Sequence, residues 1–181
     1  AENQGGGIYG SSGTLTVANT TISGNSASYY GGGIFNSNSA ALSVTSSTIA
    51  GNSANGPDGR GGGIFNDSSG TLTVTNSIVA WNQASSDPNI DGPLALGSGP
   101  NLIGVDPVFV RSPGPGADGT WATADDDRGD LHLTDRSPAV NSGDNASLPA
   151  GLAGDLDGNP RIFGGRIDIG AYEYQADPLP G

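Results

Sequence analysis

The feature that most constrains this chain is a segment that occurs three times in succession. Each copy begins with a glycine triplet and isoleucine, continues into a stretch where apolar residues alternate with small polar ones, and ends in an apolar residue three positions before an asparagine. The third copy reads GGGIFNDSSGTLTVTNSIVAWN over residues 61–82. The closing asparagines Asn25, Asn52 and Asn82 lie 27 and 30 residues apart, so the segment is a tandem repeat with one short insertion.

The repeat predicts one coil of a parallel β-solenoid, because it has this length, lacks a helical stripe and is rich in Gly, Ser, Thr and Asn. Leu15 and Val17 alternate with Thr14 and Thr16, which is the pattern of a half-buried strand. Stacked coils would align equivalent apolar residues in interior columns. The predicted columns are Ile8, Ile34 and Ile64; Leu15, Leu42 and Leu72; Val17, Val44 and Val74; and Ile22, Ile49 and Val79.

Asparagines recur at two positions of the repeat where inward turns are expected. Their side-chain amides can bond to the coils above and below and so satisfy turn backbone that no strand ladder reaches. The sequence predicts one ladder of Asn25, Asn52 and Asn82 and a second of Asn36 and Asn66. A single coil would not fold alone, since these bonds exist only between neighbouring coils.

The chain divides into a repeat region and a less regular region. Coils near residues 5–27, 31–54 and 61–84 occupy residues 1–84, and residues 54–60 carry the insertion in a surface loop. Residues 85–181 are rich in Pro, Asp and Gly and contain only short apolar runs. We expect them to form an irregular β continuation and a C-terminal cap that closes the end of the solenoid, with almost no helix.

Composition excludes several classes of partner. The 181 residues carry a net charge of −12 and no lysine, which disfavours nucleic acid and anionic membranes. No run approaches the roughly 20 apolar residues of a membrane helix, so we expect no membrane insertion. The absence of cysteine excludes disulfides and thiolate-bound metals. Methionine is absent too, which suggests a processed protein or a fragment.

The repeats resemble the polymorphic outer-membrane-protein type of right-handed β-helix, in which a GGAI-like motif pairs with an FxxN-like motif. Here these motifs stand as GGGI and as IxxN or VxxN. The remainder resembles bacterial secreted "choice-of-anchor" β-helix proteins, in the stretches NSIVAWN, NLIGVDPVF, LHLTDRSPAVNSGD and DLDGNPRIFGGRIDIGAYEY. The resemblance implies an extracellular or cell-surface bacterial protein with no assigned activity. We therefore predict an all-β, right-handed parallel β-helix of about three regular coils with an irregular β C-terminal cap.

An acidic loop over residues 118–130 offers a candidate metal site. Asp118, Asp125 and Asp127 lie in a glycine-bearing segment, and Ca²⁺ takes six to eight oxygen ligands from flexible carboxylates and carbonyls. The alternative is a solvated acidic loop offset by Arg128. No other cofactor is expected. Residues 155–159 lack the glycine and the closing glutamate of an EF-hand loop, so we predict a tight turn there with Asp155 or Asp157 paired to Arg161.

The repeats lack the acids and bases that a catalytic groove needs. A glycosidase needs two carboxylates facing each other, whereas the coils carry only Asp58 and Asp67, at non-equivalent positions. His132 stands between two leucines of a strand, where an outward surface position is expected. We therefore predict a non-catalytic structural or adhesive module, with no catalytic residues. The alternative is a polysaccharide-binding protein, or a polysaccharide lyase or glycoside hydrolase, so glycans stay possible partners.

Two further expectations concern modification and assembly. N-x-S/T sequons at Asn19, Asn66 and Asn145 are possible glycosylation sites, although a glycan on Asn66 would clash with the predicted ladder. The first coil begins at Gly5 with no element to cover its strand edges. Uncovered edges recruit other β surfaces, so head-to-tail stacking of copies into an extracellular fibre is expected. The competing expectation is that further coils precede Ala1.

Overall fold

The fold is all-β, with 2% helix, in the computed structural model, which describes residues 4–175. The strands of the first three coils are β1 (Ile8–Gly10), β2 (Thr14–Ala18), β3 (Thr21–Ser23), β4 (Ser26–Ala27), β5 (Ile34–Asn36), β6 (Ala41–Thr45), β7 (Thr48–Ala50), β8 (Ser53–Ala54), β9 (Ile64–Asn66), β10 (Thr71–Thr75), β11 (Ser77–Ala80) and β12 (Gln83–Ala84). The later elements are β13 (Ile90–Asp91), β14 (Asn101–Ile103), β15 (Phe109–Arg111), β16 (Asp130–Leu133), a 3₁₀-helix (Asn145–Ser147), β17 (Ile162–Phe163) and β18 (Arg166–Ile167).

Four parallel sheets form the walls of the solenoid. Sheet A has the order β1-β5-β9-β13, sheet B β2-β6-β10, sheet C β3-β7-β11-β14 and sheet D β4-β8-β12. Each of the first three coils therefore gives one strand to every wall. Residues after 84 add β13 and β14, which extends the stack to about four turns rather than three. The prediction of an all-β parallel solenoid is confirmed.

The interior consists of apolar columns in exact register along the stack. Ile8 pairs with Ile34 and Ile34 with Ile64, and the column continues to Ile90. The fourth turn likewise adds Ile103 to the column of Ile22, Ile49 and Val79. The other two columns pair Leu15, Leu42 and Leu72, and Val17, Val44 and Val74. Most of these side chains are fully buried, and each is worth about 1.5–3 kcal/mol of apolar burial.

Glycine triplets let adjacent corners pack backbone against backbone. Gly31 has φ +63°, in the left-handed region that other residues avoid. A Cβ added to Gly32 would lie 2.3 Å from the Ser53 carbonyl oxygen and 2.5 Å from that of Gly62. The corner therefore has no room for any side chain, which accounts for the glycines that begin each repeat.

Residues 105–175 form a lateral cover over the outer face of sheet C. Asn19 Nδ2 donates to the Gly154 carbonyl (3.2 Å), and the Ala171 N–H donates to Thr48 Oγ1 (3.0 Å). Asn76 Nδ2 donates to the Asp144 carbonyl (2.9 Å). These three side chains belong to three successive coils. The sequence predicted a cap over the end of the solenoid, whereas this region runs along its side.

A second apolar cluster holds the lateral cover in place. Ala50, Ile78 and Ala80 point outward from sheet C, opposite to the interior columns. The buried residues that join them are Leu102, Phe109, Leu131, Leu133, Ala139 and Ile169. Within the cover, β15 pairs antiparallel with β16 and β17 with β18. No helix among residues 4–175 is long and apolar enough to cross a membrane.

Both ends of the stack leave apolar residues partly open. At the lower end, β13 and β14 are the last strands of their sheets, and Ile90 and Ile103 are only half-buried. The Ala95 N–H donates to the Leu72 carbonyl of β10, the last strand of sheet B, and the adjacent Leu96 is fully exposed, at 103% relative accessibility. At the upper end, Ile8 and Leu15 are half-buried in the same way within the described part of the chain.

Candidate functional site

The asparagines at the turn after sheet C form a hydrogen-bonded ladder inside the solenoid. Asn25 Nδ2 donates to Asn52 Oδ1 (3.0 Å), and Asn52 Nδ2 donates to Asn82 Oδ1 (3.0 Å). Asn82 Nδ2 continues the ladder to Asn89 Oδ1 (3.2 Å) in the fourth turn. The backbone N–H groups of Asn25 and Asn52 donate to the same oxygens. The side chains thus replace strand hydrogen bonds where the chain turns.

The predicted glycosylation asparagines are all engaged in internal contacts. Asn36 Nδ2 donates to Asn66 Oδ1 (2.8 Å) in the second ladder, where both residues are buried. Asn19 is half-buried and binds the lateral cover. Asn145 Nδ2 donates to the Gly165 carbonyl (3.0 Å), and its Oδ1 accepts from the N–H of Ile167 (2.9 Å). Glycosylation at these positions stays a prediction. A glycan on Asn66 would have to displace one of the two bonds that its Nδ2 donates, to the Gly70 and Pro93 carbonyls.

The three aspartates proposed for calcium are satisfied by protein donors. Asp118 Oδ1 accepts from the N–H of Thr120 (2.7 Å). Hydrogen bonds from Thr123 and from nearby backbone N–H groups hold the pKa of Asp125 below its ordinary value. Asp127 forms a two-bond ion pair with Arg111 (2.7 and 3.2 Å), which likewise lowers its pKa.

These carboxylates do not converge on one point. Within residues 4–175, no group of three or more His, Asp or Glu side chains is arranged to hold a metal ion. Calcium binding would require Asp127 to leave Arg111 and the loop to rearrange. The calcium site stays a prediction.

His132 lies between two carboxylates of the lateral cover. Its Nδ1 contacts Asp130 Oδ1 at 2.5 Å, its Nε2 contacts Asp157 Oδ2 at 2.7 Å, and its ring packs 4.1 Å from that of Tyr172. Burial acts to lower the pKa of His132, but the hydrogen bonds to both aspartates outweigh it and raise the pKa. Both ring nitrogens are occupied, so this imidazole has no free position to accept a proton from a substrate.

The tight turn predicted at residues 155–159 is present, but its ionic partners differ from the prediction. The Gly158 N–H donates to the Asp155 carbonyl (3.1 Å), which closes the turn. Asp157 pairs with His132, while Arg161 Nη2 donates to the Gly170 carbonyl (2.8 Å). The histidine was therefore the missed partner, because nothing in the sequence places strand β16 beside this turn.

A buried polar cluster surrounds Arg161, which is only 1% exposed. Asp155, Asp168 and Glu173 are buried nearby, and each carboxylate accepts hydrogen bonds from backbone N–H groups. Burial raises the pKa of Asp168 and raises that of Glu173 to about 7. Arg161 lacks partners for two guanidinium nitrogens within the described residues. The hydrogen bonds of this cluster connect the segments of the cover between residues 155 and 174, and its side chains have little contact with solvent.

Aromatic residues stack along the outer face of sheet A. The rings of Tyr9 and Phe35 lie 5.2 Å apart, and those of Phe35 and Phe65 lie 5.3 Å apart. Tyr30 packs against Phe65 at 4.7 Å, and the Arg60 guanidinium lies 5.7 Å from the Phe65 ring centre. The stack buries Phe35, while Tyr9 at its upper end is 51% exposed, so the ring contacts contribute mainly to stability.

Trp81 is an exposed aromatic residue in a strained backbone conformation. It has φ +58° and is 44% exposed. The equivalent residues of the two preceding coils are Gly24 and Gly51, with φ +65° and +66°. A side chain in the left-handed region costs about 1–2 kcal/mol relative to glycine. The third coil therefore carries a large ring at a position where glycine suits the backbone better.

The indole of Trp81 lines a shallow pocket of about 270 Å³. Asn89, Val105 and Asp106 line the same pocket, together with Ala80 and Gly104. This pocket was not predicted from the sequence. The available signal was the replacement of glycine by tryptophan in one repeat.

Comparison with protein-family models, with curated proteins and with solved structures gave no match.

Proposed function

We propose that this chain is a non-catalytic structural or adhesive module of a secreted or cell-surface bacterial protein, and that copies of it stack end to end. The observation that carries the proposal is the match between the two ends of the solenoid. Ile8 and Ile22 begin, at the upper end, the same interior columns that Ile90 and Ile103 continue at the lower end.

If the upper end of one copy lies directly below the lower end of another, the interior columns continue from one copy to the next without a change of register. Neighbouring strands lie about 4.8 Å apart in a sheet, so a second copy would add its first coil as the next layer. The half-buried Ile8 of one copy would meet the half-buried Ile90 of the other, and Ile22 would meet the half-buried Ile103. A contact between unlike ends does not close on itself and therefore produces a filament.

The location is supported by the resemblance to secreted choice-of-anchor β-helix proteins, most specifically by the stretch at residues 155–174. Asp155 and Asp168 of this stretch accept backbone hydrogen bonds within the lateral cover, and Arg161 is buried beside them. A structural role for these residues accords with an extracellular module that must hold its shape without disulfides.

Electron microscopy and sedimentation of the purified chain over a range of concentrations test the proposal. We expect unbranched fibres, or species that grow with concentration. Leu96→Asp places a charge near the lower end at a fully exposed position, so it should block assembly without unfolding the chain. Ile162→Asp is the matched control, since Ile162 is an exposed apolar residue of the lateral cover.

Three results would overturn the proposal. A wild-type chain that stays monomeric at every concentration, or equal assembly by the two variants, would refute end-to-end stacking. Turnover in a screen against pectin, alginate and related polysaccharides would refute the non-catalytic part.

A further inference from the structure

The Trp81 ring is held in one orientation by a neighbouring carboxylate. Its indole Nε1 donates to Asp106 Oδ1 (3.4 Å), and the same oxygen accepts from the N–H of Val108 (2.9 Å). The aspartate is thus fixed by backbone and in turn positions the ring. Trp81 is 44% exposed and lines the pocket, so part of the indole is accessible to a ligand.

Two polar side chains beside this ring, Asn89 and Asp106, each have an atom free to hydrogen-bond a ligand, one as donor and the other as acceptor. Asn89 Oδ1 accepts from the asparagine ladder, which turns Asn89 Nδ2 toward Gly104; a Cβ built on Gly104 would lie 3.3 Å from that nitrogen. Asp106 uses Oδ1 for both of its hydrogen bonds, and its Oδ2 makes none within the described residues. The exposed Val105 closes the apolar side of the pocket.

We propose that this pocket binds a neutral hexopyranose unit of a polysaccharide. A pyranose has an apolar face of C–H groups that packs on an aromatic ring and hydroxyls around its rim that need donors and acceptors. The pocket supplies the ring, the amide N–H and the carboxylate oxygen in that arrangement. Its 270 Å³ lies just below the range of roughly 300–1,000 Å³ typical of ligand pockets, which suits one sugar ring.

The negative charge around the pocket determines which class of sugar it can bind. The chain carries a net charge of −12, and Asp106 is exposed inside the pocket. Uronates and sulfated sugars would meet this carboxylate and be repelled, so the ligand is a neutral sugar. Preorganisation favours binding, because the Val108 N–H already holds the aspartate in place before a ligand arrives.

The backbone strain at Trp81 agrees with a role in binding. Glycine at this position would relieve the strain, as it does at Gly24 and Gly51. In those coils a Cβ would lie within 3.2 Å of Arg128 and 2.8 Å of Pro113, both in the lateral cover. At Trp81 the position is open to solvent, so this is the coil in which an aromatic ring can be presented.

Affinity electrophoresis and titration calorimetry with soluble neutral polysaccharides test the site. The probes are dextran, galactomannan and arabinogalactan, with polygalacturonate as the charged comparison. We expect retardation by at least one neutral polymer and none by polygalacturonate. Trp81→Gly restores the residue of the preceding coils, so it should keep the fold and weaken binding about tenfold or more, which corresponds to roughly 1.4 kcal/mol. Trp81→Phe should retain part of the affinity.

Two control variants distinguish the sugar site from the proposed end-to-end stacking. Ile162→Asp alters an exposed apolar residue elsewhere and should leave binding unchanged. Leu96→Asp should still bind sugar while it blocks stacking, so failure of one proposal does not imply failure of the other. The sugar site is refuted by no retardation with any neutral polymer, by equal binding in Trp81→Gly, or by stronger binding to polygalacturonate. It is also refuted if Trp81→Gly abolishes self-association instead, since a second copy would then be the occupant.

Discussion

Replacement of Asn52 by leucine should lower the free energy of unfolding by about 2–4 kcal/mol. The Asn52 side chain is fully buried and donates to the Ile22 carbonyl (2.8 Å) and to Asn82 Oδ1 (3.0 Å). Its oxygen accepts from the backbone N–H (3.1 Å) and the side-chain Nδ2 (3.0 Å) of Asn25. Leucine fills a similar volume but makes none of these bonds.

The magnitude follows from what the substitution leaves behind. The Ile22 carbonyl loses its buried side-chain donor, and a buried polar group left without its partner costs about 1–3 kcal/mol. The remaining bonds are worth about 0.5–1.5 kcal/mol each, and part of that is recovered because their partners keep other contacts. Asn25→Leu is the matched control. Asn25 is half-buried at the upper rung of the ladder, so water can replace its bonds, and we expect a loss of about 1 kcal/mol or less.

Urea denaturation followed by fluorescence and circular dichroism measures both variants. Trp121 is 9% exposed, so its emission should report unfolding. In a chain of this size each 1 kcal/mol shifts the melting temperature by about 2–4 °C, so Asn52→Leu should lower it by roughly 4–16 °C. A loss below about 0.5 kcal/mol, or a loss no larger than that of Asn25→Leu, would refute the reasoning about the ladder.

Three other predictions concern protonation, packing and calcium. The pKa of Glu173 is raised to about 7, so the free energy of unfolding should fall by about 3 kcal/mol as pH rises from about 4.5 to 7 and this carboxyl ionises. In Glu173→Gln this fall should be smaller when stability is measured against pH. Gly32→Ala should destabilise by about 3 kcal/mol or more, whereas Gly114→Ala, which meets no atom within 4 Å, should be nearly neutral in the same denaturation assay. Calcium should raise the melting temperature and chelation should increase proteolysis at residues 118–127, and calorimetry without heat at millimolar calcium would refute that site.

The repeat region could be predicted because its structure follows from local alternation and a fixed period. Leu15, Leu42 and Leu72 occupy equivalent places in three copies, so stacking leaves one register that buries all of them. The closing asparagines follow from the same period. Their extension to Asn89 was not predicted, since the fourth turn has a different length and lacks the glycine triplet.

The position of the lateral cover could not be predicted from its own sequence. Its buried residues, such as Phe109 and Leu133, occur in short runs that fit either the end or the side of a solenoid. The informative signal lay in β11 instead. Ile78, Val79 and Ala80 form a continuous apolar run, which is typical of a strand buried on both faces. Such a strand requires a layer outside the solenoid as well as a core within it.

Contacts between distant parts of the chain explain the remaining differences. His132 approaches Asp157 only because the cover folds back on itself, and no spacing rule relates the two residues. The proposed sugar site at Trp81 likewise combines residues from two coils and the start of the cover. Sequence periodicity predicts the stacked coils, whereas these sites depend on where the non-repeated segments pack against the coils.

The lateral cover also changes how the stack should open. A bare solenoid behaves as a one-dimensional array, in which an end coil can fray while the others stay intact. Here the cover binds Asn19, Thr48 and Asn76, one residue in each of the three coils, so the first coil cannot separate without also breaking its bond to a segment that the second and third coils hold in place. Local opening and global unfolding should therefore have similar free energies, and backbone amides of β3 should exchange with deuterium about as slowly as those of β11.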